Sequence, residues 1–374
     1  MNRFSMMLAP LAVVVFSWLS TGAHAAGFDC SKASTLVEKT ICSTPKLSAL
    51  DEELNANFKN LKDRRIFQLL ASHWLKTERN PCTTSECIEA AYSRQIRLMS
   101  PATPYIATAE TSLRPEVENQ TYKLDTQSAW NRLSLAQIPG VNGEESVRQI
   151  VAADVKDGVL HVVAFIGDYS GEGNLYEYSD DHPGIFTITS GEKVIAWRNQ
   201  SDNDKGDRFA GIIDGTLYYR SGGVGELQKA MAYPLGSRTQ PKETSVIFQR
   251  YPDILVNARA LIREKLDRNA DYQLSLSWTA APGRPHFETV AAPSSIPDGW
   301  VIANLIWSKP RPVLYFDNNG SLACIWRADL ENKVLTKIVP EHDAVSPYPL
   351  EFLGREAIVY LDKNEIKFAI APDQ

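Results

Sequence analysis

Five histidines lie beyond residue 25, at His73, His161, His182, His286 and His342, and no two of them stand at metal-ligand spacing. Neither Cys-x-x-Cys nor His-x-x-x-His occurs, so the short zinc signatures are missing. A nucleophile elbow reads Gly-x-Ser-x-Gly; Gly167-Asp168-Tyr169-Ser170-Gly171 comes nearest and has the wrong spacing. Gly171-x-Gly173-x-x-Tyr176 lacks the third glycine of a dinucleotide fingerprint and precedes no helical pattern. Both read as a flexible loop. Two acidic loops hold the other candidates. In Asp202-Asn203-Asp204-Lys205-Gly206-Asp207 the carboxylates stand two apart, as calcium chelation requires, but Lys205-Gly206 breaks the EF-hand order of oxygen ligand and glycine. A solvated hairpin tip is the plainer reading, and neither metal nor cofactor is expected. The other loop, Asp168 to Asp181, mixes Tyr169, Tyr176 and Tyr178 with acids. Tyrosine offers a large contact area at low entropic cost, so these three are candidate interface residues for a protein partner.

The cysteines are the remaining reactive groups. Four of the five, Cys30, Cys42, Cys82 and Cys87, fall between Phe28 and Leu98, where apolar residues recur at helical spacing. Leu47, Leu50, Leu54, Phe58 and Leu61 form one stripe; Ile66, Leu69, Leu70, His73, Trp74 and Thr77 a second; Ile88, Ala91, Tyr92, Gln95, Ile96 and Met99 a third. This predicts a small module of about three helices, stapled by disulfides. Four cysteines allow three pairings. Cys30–Cys42 with Cys82–Cys87 is favoured because each couple brackets one turn or short helix; a crossed pairing would close longer loops and stabilise more. Cys324, in the apolar run Leu322-Ala323-Cys324-Ile325-Trp326, reads as a buried, inert thiol in a strand. Trp74 and Tyr92 lie on apolar stripes and are expected in the core rather than at an interface.

Residues of this module resemble a known family. Phe28-Asp29-Cys30, Ala33, Glu38, Ile41-Cys42 and Leu50-Asp51-x-x-Leu54 are similar to the first half of the LprI-type lysozyme-inhibitor module. Trp74-Leu75, Arg79, Cys82, Cys87, Ala91-Tyr92 and Arg97 are similar to its second half. The resemblance covers about residues 28–98 and implies inhibition of lysozyme-like muramidases. An inhibitor of that kind would block a cleft with a rigid, disulfide-held surface that loses little entropy on docking. Pro81, Thr83, Thr84, Ser85 and Glu86, pinned between Cys82 and Cys87, are the candidate plug, on the grounds of exposure and constraint.

The wider chain sets the context. Arg3, an apolar run from Met6 to Leu19 and Ala23-His24-Ala25 read as a secretory signal over residues 1–25. The run is shorter than the roughly 20 residues a membrane span needs, and no cysteine follows the cleavage site for a lipid anchor. A soluble periplasmic or secreted protein is expected, in a compartment where disulfides persist. The chain carries a net charge of −6, while residues 26–100 hold 11 basic and 9 acidic residues, so the acidity lies beyond residue 100. Such a surface disfavours nucleic acid and anionic lipid and suits a cationic protein.

After the module (26–100), residues 101–110 read as a linker and residues 111–374 as a β-rich domain. Val159 to Ile166 is apolar at every position, as a strand buried on both faces would be. Hairpin turns are signalled at Asp157-Gly158, Asp214-Gly215, Asp317-Asn318-Asn319-Gly320 and Asp362-Lys363-Asn364, with a weaker signal at Asp267-Arg268-Asn269-Ala270-Asp271. Their intervals of 57, 53, 50 and 45 residues suit four-stranded propeller blades, favoured here over a sandwich. Ile254, Ala258, Leu261, Ile262 and Leu266 predict one interrupting helix. The fold class expected is therefore α + β multidomain, with an all-α module before a large all-β domain. The function expected is protein binding without catalysis. Its alternative is an envelope scaffold whose β-domain carries the partner site, and a hydrolase with residues scattered over the sheets is the least favoured. The oligomeric state stays open.

Overall fold

The computed structural model describes residues 26–61, 64–100 and, with short exceptions, 120–372; the longest exceptions are 139–146, 196–209, 246–254, 264–270 and 292–301. The expected signal segment and linker, Tyr169, the Asp202–Asp207 loop and His342 lie outside the described residues.

The N-terminal region folds as α1 (Leu36–Ser43), α2 (Pro45–Lys59), α3 (Arg65–Trp74) and α4 (Ser85–Met99). There are four helices where periodicity predicts three, because the eight residues of α1 are too few to display a stripe. A capping box starts α1: the Thr35 hydroxyl accepts from the Glu38 N–H at 3.2 Å, and the Glu38 carboxylate accepts from the Thr35 N–H at 2.9 Å. Those N–H bonds, from Thr35 and then Ser34, pull the Glu38 carboxyl down to about 2. Pro45 opens α2, where a missing N–H costs nothing. Beyond α3 a five-residue π turn, Leu75–Arg79, leads into the loop before α4. The pairing is the local one, Cys30–Cys42 and Cys82–Cys87.

The β-domain begins with three short strands, β1 (Gln120–Thr121), β2 (Lys123–Asp125) and β3 (Asn131–Gln137). A nine-stranded sheet follows: β4 (Val147–Lys156), β5 (Val159–Gly167), β6 (Glu172–Ser179), β7 (Ile185–Thr187), β8 (Val194–Ile195), β9 (Ala210–Ile213), β10 (Thr216–Ser221), β11 (Lys229–Pro234) and β12 (Lys242–Glu243). Next come β13 (Leu255–Arg263), β14 (Asp271–Ala281) and β15 (Arg284–Phe287) in one sheet, with β16 (Val290–Ala291) pairing β1. The last two sheets contain β17 (Ile302–Ser308), β18 (Val313–Asn318), β19 (Cys324–Asp329) and β20 (Val334–Val339), then β21 (Ala344–Phe352), β22 (Arg355–Asp362) and β23 (Glu365–Ile370). The helix predicted near 254–266 is instead β13, paired with β14 from Leu255↔Thr279 to Arg263↔Asp271. The same residues also alternate, with Val256, Ala258, Ala260 and Ile262 against Asn257, Arg259 and Arg263, and tertiary pairing selects period 2.

The segment from β1 to β3 straps successive sheets together. β1 pairs β16 in parallel, β2 adds in parallel to the edge of β20, and β3 adds antiparallel to the edge of β23. It thereby covers two sheet edges that would otherwise be open to pairing with another chain. First strands of neighbouring sheets touch at β21 and β4, β13 and β17, and β17 and β21, but no closed propeller is traced among the described residues. The strand β5 is buried along almost all its length, as its uninterrupted apolar run requires, and Cys324 is buried in β19.

Helices and sheets share one hydrophobic core. Phe67, Leu70 and Trp74 of α3 pack in the same cluster as Leu133, Leu160, Phe352 and Phe368. The Phe67 and Phe352 rings lie 5.5 Å apart, and Phe352 meets Phe368 edge-on at 5.3 Å. The Arg65 N–H donates to the Asp180 carbonyl, and Arg355 donates to the carbonyl of Arg97 near the end of α4. No helix among the described residues is long and apolar enough to cross a membrane.

Candidate functional site

The core of the helical module gathers the polar residues that sequence reading singles out. Asp51 is buried on α2, and Oδ1 accepts from the Tyr92 hydroxyl at 2.5 Å while Oδ2 accepts from the Gly27 N–H at 2.6 Å. Burial, then the Asp51 bond, raises the Tyr92 hydroxyl well above its ordinary range, so it stays a proton donor. Trp74 meets Tyr92 edge-on at 5.0 Å, donates from Nε1 to the Ala91 carbonyl at 3.1 Å, and carries the Arg79 guanidinium 5.7 Å above its ring. Trp74 and Tyr92 are core residues, as their stripes predict. Asp51, Trp74 and Tyr92 form one buried brace, and the half-buried Arg79 lies over its Trp74 ring.

That brace supports the connection between the π turn and α4. The start of α3 and the end of α4 both touch the β-domain, through Arg65 and Arg97. The 15 residues of α4 span about 22 Å at 1.5 Å per residue. The connection at residues 80–87 lies at the other end of α4 from the Arg97 contact, and with α3, the π turn and α4 it makes up a helical finger whose tip is this connection. Pro81, Thr83, Thr84, Glu86 and Cys87 are exposed there, Ser85 is half-buried, and Cys82 is buried. Three devices hold the tip in shape. The Cys82–Cys87 bridge closes it. Thr84 caps α4 by accepting from the Cys87 N–H at 3.2 Å. The Ser85 hydroxyl donates to Glu86 at 3.1 Å. The Glu86 carboxyl is held below its ordinary range, first by its own backbone N–H and then by Ser85 and Thr84, so the tip presents a fixed negative charge.

The aromatic loop expected at Asp168–Asp181 is not there. Residues Glu172–Ser179 are strand β6, paired along its length with β5. Tyr178 is fully buried and Tyr176 is half-buried against the shared core, so the reading of these two as exposed interface residues is corrected. Leu175, Tyr176 and Tyr178 carry strand propensity that could have signalled a strand, and the acidic residues Glu172, Glu177 and Asp180 among and around them obscured it.

Two buried polar networks escaped the sequence reading because their members lie far apart in the chain. In the first, the Glu177 carboxylate pairs with His161 Nδ1 at 2.9 Å and accepts from the Tyr233 hydroxyl at 2.6 Å and the Gly236 N–H at 2.8 Å. In the second, the Arg327 guanidinium forks onto Glu356 at 2.7 and 2.8 Å, and Tyr315 donates to the same carboxylate. Both tie strands of the β-domain together, and every acceptor oxygen in them is engaged from within the protein. Among the described residues no cluster of three or more His, Cys, Asp or Glu is arranged to hold a metal ion.

No family model matches the chain, and no curated protein matches it. Among solved structures it is similar to one described as a glycoside hydrolase, at 12% identity over 67% of this chain and 92% of that chain, with a TM-score of 0.30. It is similar also to a GH43_1 enzyme from Xanthomonas citri, at 9% identity over 66% and 90% with a TM-score of 0.30. A third, TolB from Acinetobacter baumannii, stands at 10% identity over 57% and 52%, with a TM-score of 0.21. At these values the likeness assigns neither a fold family nor an activity.

Proposed function

We propose that this chain is an exported binding protein whose helical finger inhibits a lysozyme-like muramidase by seating its tip in the substrate cleft. One observation carries the reading: Pro81, Thr83, Thr84 and Glu86 are exposed on a short connection that is cross-linked by Cys82–Cys87 and capped by Thr84. A surface already held in one conformation gives up little entropy when it docks. The protein binds and turns nothing over. The β-domain is propeller-like in this reading, since the first strands of neighbouring sheets meet, and it serves as the platform from which the finger projects.

The test is muramidase lysis of cell walls in the presence of the full-length, oxidised protein and of a Thr83→Ala/Glu86→Ala variant. Inhibition by the parent protein, weakened at least tenfold in the variant, is expected. If the parent protein leaves lysis unchanged, the muramidase reading fails. A second reading, a scaffold whose β-domain holds the partner, is favoured by the shared core, which makes the helices part of one body with the sheets. No inhibition by the parent protein, together with a partner retained by β-domain contacts, would favour it.

A further inference from the structure

At the base of the finger, α3 begins without a side-chain cap of its own. Its first N–H, that of Arg65, donates instead to the backbone carbonyl of Asp180, at 3.3 Å, just beyond β6. The Asp180 side chain serves the same junction: Oδ1 accepts from the Leu160 N–H on β5 at 3.0 Å, and the Ile66 N–H at the start of α3 also faces the carboxylate. A negative charge at a helix N-terminus is favourable. One residue thus joins α3, β5 and β6.

The arrangement is incomplete in one respect. Asp180 is 1% exposed, and its second oxygen, Oδ2, has no hydrogen-bond partner within the protein. The neighbouring Tyr178 hydroxyl, also buried, has none. A buried carboxylate oxygen without a donor opposes ionisation, and protonation removes that cost while the Oδ1 bond is kept. We propose that Asp180 is a proton-operated latch, holding the base of the finger against the sheets more firmly in acid than at neutral pH.

Other charged groups face this position. From the helical side they are Arg64 and Arg65; on the same stretch of chain they are Tyr178 and Asp181, the latter paired with His182 at 3.0 Å. His161, engaged by Glu177, lies on the adjacent strand. Burial pushes the Asp180 carboxyl above the ordinary aspartate range, against the pull of the Leu160 N–H and of the Arg64 charge. A group raised in the folded state adds stability as pH falls through its folded pKa and loses that stability as pH rises through it. Glu38 and Glu356, whose carboxyls are lowered, respond in the opposite sense. The effect of Asp180 is therefore read as a difference between parent protein and variant.

The full-length, oxidised protein is compared with Asp180→Asn, which keeps an acceptor for Leu160 but cannot titrate. Thermal unfolding is followed from neutral pH down to about pH 4, near the ordinary aspartate value, with hydrogen exchange of the first-turn amides of α3, corrected for intrinsic rates. The Tm advantage of the parent over Asp180→Asn should grow by about 2 °C or more on acidification, with slower exchange at Ile66–Gln68 in the parent alone. Arg64→Gln, which removes the opposing charge, should enlarge the acid response. A Tm difference that does not vary with pH, or α3 protection that is equally pH-independent in parent and variant, overturns the latch. None of these outcomes depends on whether the finger binds a muramidase.

Discussion

Glu356 of β22 reaches across to the neighbouring sheet, where it accepts from the Arg327 fork and from the Tyr315 hydroxyl, register partners on β19 and β18. Burial by itself would raise its carboxyl; the Arg327 hydrogen bonds and charge outweigh that and leave it below the ordinary glutamate range. Burying both ions costs more than a surface pair would, so the arrangement is fragile to the loss of either member. Arg327→Ala should destabilise the protein by about 3 kcal/mol in urea unfolding at neutral pH, because the buried carboxylate is left with only the longer Arg311 contact at 3.7 Å and the Tyr315 hydroxyl. The pH dependence has a definite sign. A carboxyl lowered in the folded state contributes stability above its unfolded pKa, about 4.3, and that contribution is lost as pH falls through the folded value. Glu356→Gln should therefore be less stable than the parent near neutrality and converge on it in acid; a gap that widens in acid would exclude this account.

At the scale of elements, the turns and the finger tip make the next predictions. Asp157 and Gly158 have φ values of 50° and 75°, which only a tight mirror-image turn combines, and the Arg64 guanidinium donates to the Gly158 carbonyl. Gly158→Ala should cost about 1–2 kcal/mol through the strained backbone. Gly211→Ala, in β9 with ordinary φ and open space where a Cβ would go, is the neutral control. The Cys82–Cys87 bridge closes a loop of sequence separation 5, worth about 2 kcal/mol by loop-closure entropy. A Cys82→Ser/Cys87→Ser variant should stay folded, as judged by circular dichroism, while its tip becomes a faster site of limited proteolysis. Turn chemistry was the legible part of this scale: Asp157-Gly158, Asp214-Gly215 and Asp362–Asn364 all join paired strands. Their steadily shrinking spacing misleads about repetition, because the early signals join β4 to β5 and β9 to β10, whereas the later ones lie at β18–β19 and β22–β23. Asp317 and Asn318 are not turn residues at all; they end β18 and are buried, with Asp317 accepting from Asn304 at 2.7 Å and from the Ser346 N–H at 2.6 Å.

At the scale of the whole molecule, the question is why the helices do not behave as a bead on a string. A module of about 75 residues is near the lower limit at which a chain buries enough surface to be stable alone. Here Phe67 of α3 is buried as fully as Ile66, Leu70 and Trp74, although it is not in the periodic set read from the sequence. The stripe read from the sequence holds Ile66, Leu69, Leu70, His73, Trp74 and Thr77 but not Phe67, and what covers Phe67, the Phe352 ring, is a long-range fact. Phe67 meets Phe352, which meets Phe368, so the last sheet completes the helical core, while the β1–β3 strap, starting 20 residues after α4, stitches the sheets from outside. Two bodies that share a core unfold together. The parent protein should therefore give one cooperative calorimetric transition, with near-ultraviolet and far-ultraviolet signals coincident. Phe67→Ala removes the ring at the centre of that contact and should cost about 3–5 kcal/mol. It should also split the transition, the helices melting before the sheets, because the apolar link between the two halves is what makes them one unit. Two separate transitions already present in the parent protein would mean that the contact at Phe67 is incidental, and that the finger is held by polar contacts such as those of Arg64, Asp180 and Arg355.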